Sequence, residues 1–150
     1  MKKMRLQFIV IASFFLYNKA MKSNSKFVQY NANPMQRQTV DCVIRAISKL
    51  LDQTWERTFC ELSIFGLILC DMPSANHLWS AYLKSKEYKR ALISDDLPDD
   101  YCVEDFCDDH PNGTYLLAID GHVVTVIDGR YYDSFDSGRE RPIYYWFKEN

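Results

Sequence analysis

The stretch TYLLAIDGHVVTVIDGRYYDSF (Thr114 to Phe135) decides the fold of this chain. Three six-residue runs rich in β-branched and aromatic side chains are separated by Asp-Gly, at Asp120-Gly121 and again at Asp128-Gly129. Such runs fit a pleated, half-buried surface. Asp-Gly between them favours two-residue hairpin turns of type I′, in which both central residues take positive φ. The stretch predicts an antiparallel meander, and PIYYWF (Pro142 to Phe147) predicts a fourth strand.

Two tight turns also fix the register. Ile127 should pair with Arg130, hence Val124 with Asp133 and His122 with Phe135. Side chains alternate between faces along a strand, so His122 and Asp133 point the same way. As diagonal neighbours they lie roughly 7–8 Å apart at the backbone, within reach of an imidazole and a carboxylate. Asp136 has the opposite parity and should face away.

Upstream, the pattern is helical. Asp41 stands where an N-cap belongs, and Val43, Ile44, Ala46, Ile47, Leu50 and Leu51 follow at helical spacing. A second helix should start at Thr54, with Trp55, Phe59 and Leu62 on one side. A third should run through SANHLWSAYLKS (Ser74 to Ser85), with Leu78, Trp79, Tyr82 and Leu83 as its stripe. VEDFCDDH (Val103 to His110) predicts one more short helix. The expected architecture is α+β, with N-terminal helices packed on a C-terminal antiparallel sheet.

Length and composition agree with one domain and an ordinary core: 150 residues, 47% hydrophobic and 25% charged. Residues 1–20 stand apart as an N-terminal extension, and 21–150 form the domain. The extension has a basic start and an apolar run from Leu6 to Tyr17, too short to cross a bilayer comfortably. It reads as a misassigned start with Met21 the true one, as a signal or membrane tether, or as a packed helix. A cytoplasmic protein is expected, and a secreted or membrane-tethered one if the segment is a real signal. Ten of the eighteen Lys and Arg precede residue 58, and acidic residues crowd Ser94 to Asp109. No basic face with interleaved aromatics is present, which argues against nucleic acid as a partner. Five cysteines at irregular spacing suggest free thiols rather than a disulfide framework. Cys60 and Cys70 read as core residues, and His77 as a surface or boundary residue. The spacing of Cys102, Cys107 and His110 does not fit a zinc site, so neither metal nor organic cofactor is expected.

Cys42 opens the first helix of the domain. Alone it would read as a small core residue. A histidine oriented by a carboxylate changes that, because together they need only a nucleophile on a facing helix. The thiolate is the reactive form, and a helix N-terminus and a nearby imidazolium both stabilise it. His122 would pair with Cys42 and later protonate the leaving amine, while Asp133 would hold the ring. The Cys42 backbone N–H is one candidate oxyanion donor. Gln36, six residues upstream, is a candidate for the second.

A cysteine opening the first helix, a sheet histidine and a carboxylate one strand later resemble the papain-like cysteine peptidase superfamily. NANP…TVDCVIRAIS, DMP, HPNGTYLLAIDGHVVTVIDGRYYDSFD and the aromatic tail resemble, more closely, small papain-fold proteins of bacteriophages and gut bacteria described as cysteine peptidases. The resemblance covers roughly residues 27–147 and maps the family's motif onto Cys42, His122 and Asp133. DSF stands in the place of papain's Asn-Ser-Trp, and Gln36 matches the spacing of the oxyanion glutamine, with Gln38 and Asn33 as rivals. The papain signature C-G-S-C-W is absent, and only 80 residues separate Cys42 from His122. The resemblance implies a hydrolase that cleaves peptide or isopeptide bonds of a peptide or protein substrate through a thioester. A transglutaminase-like acyl transfer would use the same residues. The alternative is a catalytically inactive papain-fold binding module in phage or mobile-element biology.

Overall fold

The computed structural model describes residues 25–149. The expectations for residues 1–20 and for Met21 lie outside them. Among the described residues, four helices accompany one mixed sheet of six strands. The helices are α1 (Cys42–Leu50), α2 (Trp55–Leu69), α3 (Asn76–Ser85) and α4 (Val103–Asp109). The strands are β1 (Phe27–Gln29), β2 (Lys89–Leu92), β3 (Thr114–Ile119), β4 (His122–Ile127), β5 (Arg130–Asp133) and β6 (Tyr144–Phe147), in the order β1-β5-β4-β3-β6-β2.

The central hairpins form as the Asp-Gly pairs predict. Ile119 faces His122 across the first turn, and Ile127 faces Arg130 across the second. The second turn has positive φ at both Asp128 (48°) and Gly129 (70°), as type I′ requires. The first has it at Gly121 alone (63°), so the type I′ expectation fails there. The sheet is also not purely antiparallel, since β1 runs parallel to β5. β2, whose Lys89 and Arg90 are exposed, is an edge strand with no apolar alternation to announce it.

Strand parity sorts the core onto two faces. Val123, Leu116, Ala118 and Trp146 pack with the apolar stripes of α1 and α3. Leu117, Ile119, Val124, Val126 and Tyr131 pack on the other face with Val103, Phe106 and Cys107 of α4. In α1, Val43, Ile44, Ile47 and Leu50 are buried, each contributing roughly 1.5–3 kcal/mol of transfer free energy. Thr125 Oγ1 donates to the Ala46 carbonyl (2.7 Å) and pins α1 to β4.

α2 buries only one row, Thr58, Leu62 and Gly66. Gly66 permits a close approach, because a Cβ there would meet the Asp71 carbonyl oxygen at 2.6 Å. Cys60 and Cys70 are exposed, contrary to their reading as core residues. Cys60 lies off the buried row, and Cys70 is the left-handed residue that ends α2 (φ 53°). Ile64, Leu67, Ile68 and Met72 also face outward. No helix among the described residues is long and apolar enough to cross a membrane.

Candidate active site

Helix α1 reaches the end of the sheet with Cys42 as its first residue. His122 is the first residue of β4 and Asp133 the last of β5, so all three lie where elements begin or end. His122 has the parity of the α4 face, whereas α1 lies on the other. The thiol and the imidazole meet around the sheet's rim.

His122 Nε2 lies 2.7 Å from Asp133 Oδ2. A carboxylate only accepts, so the tautomer with Nε2–H fits this contact and leaves Nδ1 for the thiol. Burial pushes the Cys42 thiol up, but hydrogen bonding from His122 and the Val123 backbone, the His122 charge and Arg45 outweigh it, and the net shift is downward. Burial likewise pushes His122 down. The Asp133 hydrogen bond and the sulfur more than reverse this and bring the ring up to about 9. Both shifts favour a thiolate–imidazolium pair, and the N-terminus of α1 adds to the effect on the sulfur.

Asp133 is 5% exposed and held on every side. Oδ2 also accepts from Ser137 Oγ (2.7 Å), and Oδ1 accepts from the Ser134 N–H (2.7 Å). Strand β1 braces its backbone, with Gln29 opposite Asp133 and the Tyr30 N–H donating to the Asp133 carbonyl. The Phe135 ring lies 4.8 Å from the His122 ring and covers it. Asp136 takes a separate role, accepting from Tyr131 Oη and the Gly138 N–H.

Cys42 and His122 open onto a cleft of about 440 Å³ lined also by Val43, Trp79, Ile143 and Tyr144. Gln36 does not line it. Gln36 sits on the exposed loop before α1 at φ 52°, its amide donating to the carbonyls of Asn31 and Asn33. Gln38 is exposed, and Asn33 is buried with its amide donating to Asp41 Oδ2 (3.2 Å). The side-chain amide that does line the cleft is Asn76, at the start of α3. Its Oδ1 accepts from Trp79 Nε1 (3.2 Å), which can only donate, so the NH₂ group is the free end. Its one sequence signal is its place beside the predicted start of a helix.

Sequence reasoning also missed the buried cluster preceding the cysteine. Asp41 does not cap α1 with its side chain. Its Oδ1 accepts from Arg45 (2.6 Å) and its Oδ2 from Trp55 Nε1 (2.9 Å) and Asn33, which draws it inward.

The remaining chemistry-bearing residues are engaged elsewhere. Cys102 Sγ donates to Asp105 (3.1 Å), Cys107 is buried, and His110 stacks on Phe106. His77 is exposed and pairs with Asp71. No family model, curated protein or solved structure matches the chain.

Proposed function

We propose that the protein is a cysteine-dependent hydrolase of the papain-like type, cleaving an amide bond of a peptide or protein. The observation that carries this reading is that Cys42 and His122 line one cleft while buried Asp133 holds the His122 ring from behind; the lowered thiol and raised imidazole agree with it. The Cys42 thiolate attacks the carbonyl carbon and the carbonyl electrons move to oxygen. The Cys42 N–H, at the helix start, and the Asn76 amide are the candidate donors for that oxyanion. Collapse breaks the C–N bond, the imidazolium gives its proton to the leaving amine, and a thioester remains on Cys42. Neutral His122 then takes a proton from water as it attacks, and the thiolate leaves. An amine in place of water would give acyl transfer through the same groups.

The chain's other cysteines make the test internally controlled. Iodoacetamide should modify Cys42 rapidly at pH 6, and His122→Ala should abolish the effect. Cys60 and Cys70 are exposed and report ordinary accessibility, whereas Cys102 and Cys107 are buried, with Cys107 pushed up to about 12 mainly by burial. Modification of Cys42 no faster than that of Cys60 would sink the catalytic reading. The exposed apolar side chains Ile64, Leu67, Ile68 and Met72 on and just beyond α2 would then favour the second reading, a binding module.

A further inference from the structure

A second cleft, of about 470 Å³, adjoins the one at Cys42, and Asn76 and Tyr144 line both. Its walls differ in charge from the first. The first holds one carboxylate, Asp120, and no lysine or arginine. The second holds Lys84 and Arg90 and no carboxylate. Neither cation forms an ion pair among the described residues. The acidic side chains that flank these elements in the chain are committed: Asp71 to His77, Glu87 to Lys148 and Glu149 to Lys89.

Tyr144 is the joint between the two clefts. Its ring stacks with Trp79 at 6.4 Å, and the Arg90 guanidinium lies 5.0 Å from its centroid. Arg90 pairs with Trp146 and Leu92 with Tyr144 on the neighbouring strand, so Arg90 and Tyr144 share a sheet face. That contact fixes one end of an otherwise flexible cation. Lys84 lies on α3, two turns beyond Asn76, about 12 Å further along the helix. An extended peptide covers that distance in about four residues.

We infer that the two clefts form one substrate groove, and that its basic end selects a peptide carrying an acidic side chain about four residues from the scissile bond. This rests on Cys42 being the nucleophile. Lys84 and Arg90 act on affinity and approach rather than on the chemical step. They are specificity residues, and their charge is open to screening because both are exposed.

Two series of four-residue electrophiles test the groove from both directions: peptidyl chloromethyl ketones on the acyl side and N-chloroacetyl peptides on the leaving-group side. In each, the thiolate displaces chloride and leaves a thioether readable by mass spectrometry. The distal residue is Glu, Gln or Lys, the others are alanine, and each rate is divided by the iodoacetamide rate of the same protein. In one series the Glu probe should label Cys42 about tenfold faster than the Lys probe, with Gln between. The preference should shrink at high salt and reverse in the Lys84→Glu, Arg90→Glu double variant. Salt dependence in the unmodified chain keeps the test decisive if that variant does not fold. Rapid iodoacetamide modification with equal Glu and Lys rates in both series overturns the groove and spares the nucleophile. Iodoacetamide modification at an ordinary thiol's rate overturns both. A phosphoserine probe that outruns Glu by a further tenfold would move the assignment to phosphate and overturn the carboxylate.

Discussion

Arg45 Nη1 lies 2.6 Å from Asp41 Oδ1, one helical turn away, with both side chains buried around the start of α1. Such a pair is costly to break from one side, because the survivor is left as an uncompensated buried charge. Asp41→Ala should therefore lower stability by about 3–5 kcal/mol, and Asp41→Asn, which keeps an acceptor, by less. Urea unfolding followed by fluorescence checks this. A loss below about 1 kcal/mol in Asp41→Ala would mean that solvent reaches Arg45.

The paired shifts set a pH window for catalysis. The thiol is lowered, so the thiolate is present from below its ordinary value of about 8.5 upward. The imidazole is raised to about 9, so the proton for the leaving amine is lost only above that. For a peptide substrate, kcat/KM should trace a bell whose alkaline limb falls near pH 9. In His122→Ala the burial remains without the imidazolium, so the alkylation midpoint of Cys42 should move upward past the ordinary value. An unmoved midpoint would mean that the Val123 backbone, Arg45 and the helix N-terminus set the thiol without the imidazolium.

The hairpins and the stripes of α1 and α3 were legible because they rest on local rules. A two-residue turn leaves one register, and that register alone brought His122 to Asp133. What escaped depends on distant partners. β1 is three residues long and becomes a strand only by pairing with β5, and β2 carries the charges of an edge. Asp41 and Arg45, four apart, look in the sequence like a solvated helix pair. Trp55 and Asn33, which make the site buried, arrive from elsewhere in the chain. The basic cleft has no local signature either, and Asn76 has only its place beside the predicted start of a helix. They reach the thiol's neighbourhood only because α3 packs along the same face of the sheet as α1.

Asp133 and Ser137 separate orientation from charge. In Asp133→Asn the amide oxygen can still accept from Nε2, but the carboxylate charge that raises His122 is gone. The alkaline limb should move down from about 9 toward the ordinary histidine value of about 6.5, and kcat at pH 8 should fall at least about tenfold. Ser137→Ala keeps the charge and removes one of the bonds that steer it. It should cost about 0.5–1.5 kcal/mol of stability and leave the limb in place. A limb that moves equally in both variants would show that the position of the carboxylate, rather than its charge, governs the ring.

Gly138 shapes the loop that carries Ser137. A Cβ at this position would run into the Tyr131 hydroxyl and approach Glu104 Cγ at 3.0 Å. Tyr131 is fully buried and its hydroxyl donates to Asp136, while the Glu104 N–H donates to the Gly138 carbonyl (3.1 Å). The ring cannot retreat, so the loop must. Gly138→Ala should destabilise by about 1–3 kcal/mol, as overpacking of a filled interior does. It should also displace Ser137 from Asp133 and slow Cys42 alkylation at pH 6. Adding Tyr131→Phe removes the obstructing oxygen. The double variant should regain the alkylation rate in part, at the expense of the Asp136 hydrogen bond. If Tyr131→Phe brings no recovery, the ring carbon Cζ, 2.8 Å from the added Cβ, or Glu104 Cγ is what distorts the loop.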